Sequence, residues 1–240
     1  MTEKPILFSG PMVRAILEGR KTMTRRVITS ARAHRTRESI PFTMKGGQLD
    51  RALQGADRWK HLGLNTWTWK ADAYEHQLLA TRTNWIADIG YAVGDTLWVR
   101  ETAWICPPGW TDTPVNPRGP KRQEVAYKAD DRKGATSEAA RDYNLKLTPS
   151  IHMPRWASRI TLRVTAVKVE RLQDISETDA KAEGMYRAAD DNLWTFDSHS
   201  GWRCASPVYA FIELWETING PGSWDANPWV AAYTFEHVKQ

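Results

Sequence analysis

At 240 residues, 41% apolar and 25% charged, the chain has a globular composition and enough length for a full core, which excludes a disordered class. The net charge of +5 is concentrated: Gly19 to Arg37 holds Arg20, Lys21, Arg25, Arg26, Arg32, Arg35 and Arg37 with no carboxylate, a run suited to a polyanion or to a solvated basic loop. No apolar N-terminal region or membrane-length apolar window is present, and the two cysteines form no CxxC, so a soluble protein of a reducing, cytoplasmic compartment is expected.

Pro5 to Ser9 reads as a first strand. Gly10 suits an N-cap and Pro11 the first helical position, with Val13, Ile16 and Leu17 on one helix face. Gly19 then fits a left-handed C-cap. From Thr24 to Ile28 the chain reads as extended, which puts Thr24 and Arg26 on one face and Arg25 and Val27 on the other. Lys21 lies in the turn between, close enough to meet the Thr24 hydroxyl. An amine beside a hydroxyl is a base beside a nucleophile, and Arg26 shares the Thr24 face to hold an anion or polarise a carbonyl.

Residues 29–92 show no sustained period, although Gly46-Gly47 and the Trp67-Thr68-Trp69-Lys70 alternation suggest a hairpin or short strands. A structureless loop of that length is unusual, so the segment should fold onto the core or carry function. Gly94-Asp95 marks a turn before the alternating strand Thr96 to Thr102. Five prolines between Cys106 and Pro120 indicate a stiff irregular loop, Val125 to Lys128 a return strand, and Ala135 to Asn144 a short helix.

The strongest strand alternates through Ile160, Leu162, Val164 and Ala166, then shifts phase to Val167 and Val169. A one-residue slip implies a bulge or bend, as where a strand turns the corner of a small barrel. Arg155 and Trp156, just before it, are candidates for ligand contact. Ser176 and Asp179 begin a second short helix that Gly184 closes. Glu183 sits in its last turn, where the macrodipole opposes a negative charge and favours a carboxyl that holds a proton, unless the group is exposed and paired with Lys181 or Arg187. After a polar stretch from Arg187 to Cys204, Ser206-Pro207 opens a helix with Val208, Phe211, Ile212, Trp215 and Ile218 on its core face. Trp229, Ala231, Tyr233 and Phe235 alternate in a last strand. The thirteen tryptophans are expected mainly to pin loops by burying area, with one or two lining a ligand pocket. These elements argue for an α+β fold, a mixed β-barrel flanked by helices.

The motif G-x-K-x-x-T-x-R at Gly19 to Arg26, following the segment ILFSGPMVRAILEG, resembles the signature of the ASCH domain family, whose fold is PUA-like. Gly94 to Arg100, the strand Ile160 to Val169, the helix before Gly184 and the strand Trp229 to Phe235 follow in that family's order. The resemblance covers the skeleton of the chain, as one domain over 1–240 with long loop insertions at about 29–92, 104–124 and 186–205. The long form is most similar to ASCH proteins of bacteriophages and prophages. Some small bacterial members are amidohydrolases that deacetylate N(4)-acetylcytidine with a Lys, a Thr and a Glu. By motif the resemblance implies Lys21, Thr24 and Glu183 as catalytic residues, the last in the context DAKAEGM. Arg20, Arg25, Arg26, Arg155 and Trp156 would contact substrate or nucleic acid. No cofactor and no metal are expected, since the six histidines show no HxH or HExxH spacing. The alternative is a non-catalytic module that binds RNA ahead of DNA, as a phage accessory protein or modified-base reader. No membrane partner is expected.

Overall fold

The computed structural model describes residues 3–28, 30–35, 42–45, 60–61, 66–70, 83–88, 90–105, 125–131, 134, 137–138, 140, 145–197 and 201–238, the strands between 30 and 88 by their backbone pairing. Gly46-Gly47, the proline-rich stretch from Cys106 to Pro120 and most of the helix expected at Ala135 to Asn144 lie outside them.

Strand β1 (Glu3–Leu7) runs into helix α1 (Gly10–Leu17), whose N-cap is Ser9 rather than Gly10. Pro11 falls in the first turn, where a missing N–H breaks no helical bond. Gly19, at φ 74°, reverses the chain in the left-handed conformation that a glycine adopts without strain. The amides of Arg20 and Lys21 then reach back to the Ala15 carbonyl at 2.8 and 2.9 Å, and the chain enters β2 (Met23–Val27).

The segment after β2, expected as an insertion, holds a sheet of its own. Strands β3 (Ser30–Arg35), β4 (Phe42–Lys45), β5 (Lys60–His61), β6 (Thr66–Lys70) and β7 (Thr83–Asp88) pair antiparallel in the order β4-β3-β7-β6-β5. The expected short strands are there, more of them than the Trp67–Trp69 alternation indicates.

After Gly94, β8 (Thr96–Arg100) alternates buried Leu97 and Val99 with partly exposed neighbours. β9 (Ala103–Ile105) pairs antiparallel with the return strand β10 (Val125–Tyr127) and with β11 (Leu147–Thr148). The long strand β12 (Thr161–Arg171) carries the expected irregularity: Val164 faces Phe235 and Ala166 faces Thr234, so Thr165 is the extra residue of a bulge. Helix α2 (Glu177–Ala182) is capped by Ser176, whose Oγ accepts from the Asp179 amide at 3.1 Å. A small hairpin follows, β13 (Tyr186–Arg187) with β14 (Trp194–Thr195). Then come α3 (Pro207–Asn219), capped by Ser206, and β15 (Trp229–His237).

The central sheet has the order β1-β8-β12-β15-β2, with β1 and β8 parallel and the other pairs antiparallel. The fold is therefore mixed α+β, but the sheet does not close into the expected barrel; β1 and β2 remain its two edges. Helix α1 connects those edges and buries Val13 and Ile16 with Ile6, Leu97, Leu162 and Tyr233 in one core. The Arg26 guanidinium spans the gap, donating to the Leu7 carbonyl at 2.6 Å. A second core lies on the other face of β15, where Val230 meets Ala180 of α2 and Phe211, Leu214 and Trp215 of α3. Both faces of β15 are covered, which explains its continuous buried run from Val230 to Tyr233. Helix α3 buries Ala210, Phe211, Leu214 and Trp215, whereas Ile218 of the expected face is 50% exposed. Among the described residues no helix is long and apolar enough to cross a membrane.

Candidate active site

Lys21 and Glu183 are 162 positions apart in the chain and form an isolated antiparallel bridge at the β2 edge. The backbone brings them together: Thr22 donates its amide to the Ala182 carbonyl at 2.8 Å, and Gly184 turns away at φ 107°. A Cβ on Gly184 would lie 3.2 Å from the Ala15 Cβ and 3.3 Å from the Lys21 Cβ, so the end of α2 and the end of α1 meet where only a glycine fits without displacement.

The Lys21 ammonium is fully enclosed and donates to Glu183 Oε2 at 2.6 Å and to the Glu183 carbonyl at 2.9 Å. Burial pushes the amine below the usual lysine range; Glu183 opposes that shift, and the nearby Arg26 and Arg25 add to it. Glu183 is 3% exposed and faces Lys21 and Arg25, not solvent, Lys181 or Arg187.

Arg25, expected at the substrate, is a buried hub that also borders the cavity beside Thr24. Its Nη1 donates to Glu183 Oε1 at 3.2 Å, its Nε and Nη2 to Glu170 Oε1 at 3.1 and 2.7 Å, and its Nη2 to Asp179 at 2.7 Å. Three carboxylates thus surround one guanidinium, and its planar fork is what allows one side chain to meet all of them. Glu170 also pairs with the exposed Lys168. Glu170 and Asp179 were not foreseen. The only hint is a carboxylate on the half of β12 that a helix covers, opposite an arginine on a neighbouring strand.

Thr24 shares the inner face with Tyr233, which it opposes in register, and is 2% exposed. Its hydroxyl has no hydrogen-bond partner among the described residues. Thr24, Arg25, Arg26 and Glu183 line a cavity of about 60 Å³, completed by apolar side chains of α1, β2 and α3. Arg26 also stacks 5.4 Å from the Phe8 ring centre. Of the three side chains expected to act together, Lys21 meets Glu183 directly and Thr24 shares a cavity with Glu183, while Lys21 itself does not line that cavity.

The remaining expected contacts lie elsewhere. Arg20 is bonded to Glu18 at 2.9 Å and to the Gly184 carbonyl at 2.7 Å, and it stacks 4.2 Å from the Tyr186 ring, so it braces the α2 end. Arg155 pairs with Glu3 and lies 5.8 Å from the Trp98 ring, and Trp156 is 51% exposed. Among the described residues, no group of three or more His, Cys, Asp or Glu is arranged to hold a metal ion. Comparison with protein-family models, curated proteins and solved structures finds no match to this chain.

Proposed function

We propose that the chain is an amidohydrolase acting on an N-acylated nucleoside of the N(4)-acetylcytidine type, the activity that its resemblance to the ASCH family implies. The observation that carries this reading is the enclosed 2.6 Å pair of Lys21 and Glu183 beside a cavity into which Thr24 brings an uncommitted hydroxyl. Moving one proton across that pair, from Lys21 Nζ to Glu183 Oε2, leaves a neutral amine and a carboxylic acid, the base and the acid that amide cleavage requires. Burial already favours the neutral amine.

In the first half, Thr24 Oγ attacks the acyl carbon and its proton passes to Lys21. The C–N bond breaks and the leaving amine takes the Glu183 proton, giving an acyl ester on Thr24. In the second half, water attacks the ester and gives a proton to the Glu183 carboxylate. Thr24 leaves with the proton held by Lys21, so a carboxylic acid and an amine are released and the starting state returns. Arg26, at the cavity wall, supplies positive charge for the tetrahedral oxyanion.

The test is incubation with N(4)-acetylcytidine and chromatographic detection of cytidine. Release by the wild type, lost in Glu183→Gln, supports the reading; no release from N(4)-acetylcytidine or related N-acyl cytosines overturns it. A second reading, single-stranded nucleic-acid binding, is favoured by the exposed Trp156 next to Arg155. It loses two cations of the Gly19 to Arg37 run, because Arg20 and Arg25 are committed internally. Binding that weakens steeply with salt, without turnover, would select it.

A further inference from the structure

The cavity beside Thr24 has two kinds of wall. Glu183, Thr24 and the two arginines supply its polar lining, and Met12, Val27, Phe211, Leu214 and Trp215 its apolar lining. Its volume of about 60 Å³ decides what can enter. An apolar cavity of about 150 Å³ is what takes a benzene ring. A pyrimidine is of that size, so the ring of an N-acyl cytosine does not fit here, whereas a two- or three-carbon acyl chain does. The exposed members of its lining are Val27 of β2 and Ile218 and Asn219 at the C-terminal end of α3, and these mark its mouth.

We infer that this cavity is an acyl subsite, which seats the alkyl end of a short N-acyl group against Leu214 and Trp215 and leaves the amine half of the substrate at the mouth. The inference rests on the amidohydrolase reading and adds a direction to it. The carbonyl carbon lies at the polar wall, within reach of Thr24, while the methyl is desolvated among apolar side chains. Helix α3 then sets which acyl group is accepted, and the amine side is held loosely. The substrate class is that of short-chain N-acyl amides, wider than one nucleoside on the amine side and narrow on the acyl side.

The experiment is a series of N(4)-formyl, acetyl, propionyl, butyryl and benzoyl cytidines, compared by kcat/KM, with N-acetyl derivatives of other aromatic amines as the second arm. Acetyl and propionyl should be the preferred groups, and benzoyl should fall at least about 100-fold below acetyl, since pocket discrimination of this kind reaches about 10- to 200-fold per methylene. Leu214→Ala, which enlarges the cavity, should raise benzoyl relative to acetyl by about tenfold or more. If that variant does not fold, Leu214→Val and Trp215→Phe test the same shift. Acetyl derivatives of other amines should be turned over within about tenfold of N(4)-acetylcytidine. Turnover indifferent to acyl length, or a Leu214 variant with unchanged acyl preference, overturns the subsite and leaves the hydrolase standing. No turnover of any amide overturns both.

Discussion

Among the described residues, two places bury a carboxylate under an arginine, and they differ in what they leave unused. At one, Arg25 holds Glu170, Asp179 and Glu183, and Lys21 adds a second cation. At the other, Arg159 grips both oxygens of Glu101 at 2.9 and 3.1 Å, binds Asp130, and stacks 3.8 Å from the Tyr127 ring. Glu101 borders a cleft of about 640 Å³, far larger than the cavity beside Thr24. Yet in that cleft Arg14 is paired with Asp197, and Asp131 accepts from Ser137. Volume and buried charge therefore do not by themselves mark a reactive site. What separates the Lys21 end is an enclosed amine displaced toward its neutral form and paired with Glu183, a carboxylate that lines the same cavity as the unengaged Thr24 hydroxyl.

The largest effects should separate the two places by kind. Lys21→Ala or Glu183→Gln should lower turnover of N(4)-acetylcytidine by about 10³-fold, the scale of a lost general base or acid. Arg159→Met should leave turnover within about threefold and instead lower unfolding stability by about 3 kcal/mol, because it strands the buried Glu101 carboxylate. Steady-state kinetics and urea denaturation on both variants check the division. A large loss of turnover in Arg159→Met would move the site to the larger cleft.

The pH dependence of stability should have opposite signs at the two places. Lys21 is held below its ordinary value near 10.5 by burial. The folded state thus binds fewer protons than the unfolded one between those two values, and stability rises as pH climbs through that window. Glu101 is pushed above its ordinary value near 4.5, also by burial, with Arg159 opposing. There the folded state binds more protons, and stability falls as pH climbs from 4.5 to the raised value. Lys21→Met should remove the alkaline slope alone and Glu101→Gln the acid slope alone, as measured by denaturation across pH.

Much of the Lys21 end was legible because it is local. Gly19, the turn and the Thr24/Arg26 alternation are all set within one short segment, and the β2 register keeps those two residues on the inner face. The phase shift in β12 was equally visible, since a slipped alternation has few causes besides a bulge. The Arg25 partners were not, because Glu170 and Asp179 lie 145 and 154 positions away and no period connects them. The barrel expectation failed at closure: nothing local tells whether the two edge strands pair, and here Arg26 bridges them instead. Of the second sheet, the Trp67–Trp69 strand was visible and its first strand was hidden by composition. Ser30–Arg35 reads Ser-Ala-Arg-Ala-His-Arg, which lacks the large apolar residues on alternate positions that identify a strand.

The smallest expected effect comes from two glycines that share a conformation but not a neighbourhood. Gly184, at the Lys21 end, has φ 107°, and Gly134, on the larger cleft, has φ 78°. Alanine at either position is strained by its positive φ, at about 1 to 2 kcal/mol. At Gly134 the added methyl meets nothing among the described residues within 4 Å, so the cost should end there. At Gly184 it would press on the Ala15 and Lys21 Cβ atoms, at 3.2 and 3.3 Å, and one of the two must shift. Ala15 is buried in α1, whereas Lys21 continues into a long side chain whose ammonium is held by hydrogen bonds to Glu183. The strain should therefore pass into the Lys21–Glu183 pair. Both variants should lose similar stability, with Gly184→Ala somewhat lower, but only Gly184→Ala should lose turnover, by about tenfold, since a displacement of about 1 Å in a reacting group costs up to 10²-fold. Equal turnover in the two variants would mean that the spacing of that pair is not what the reaction depends on.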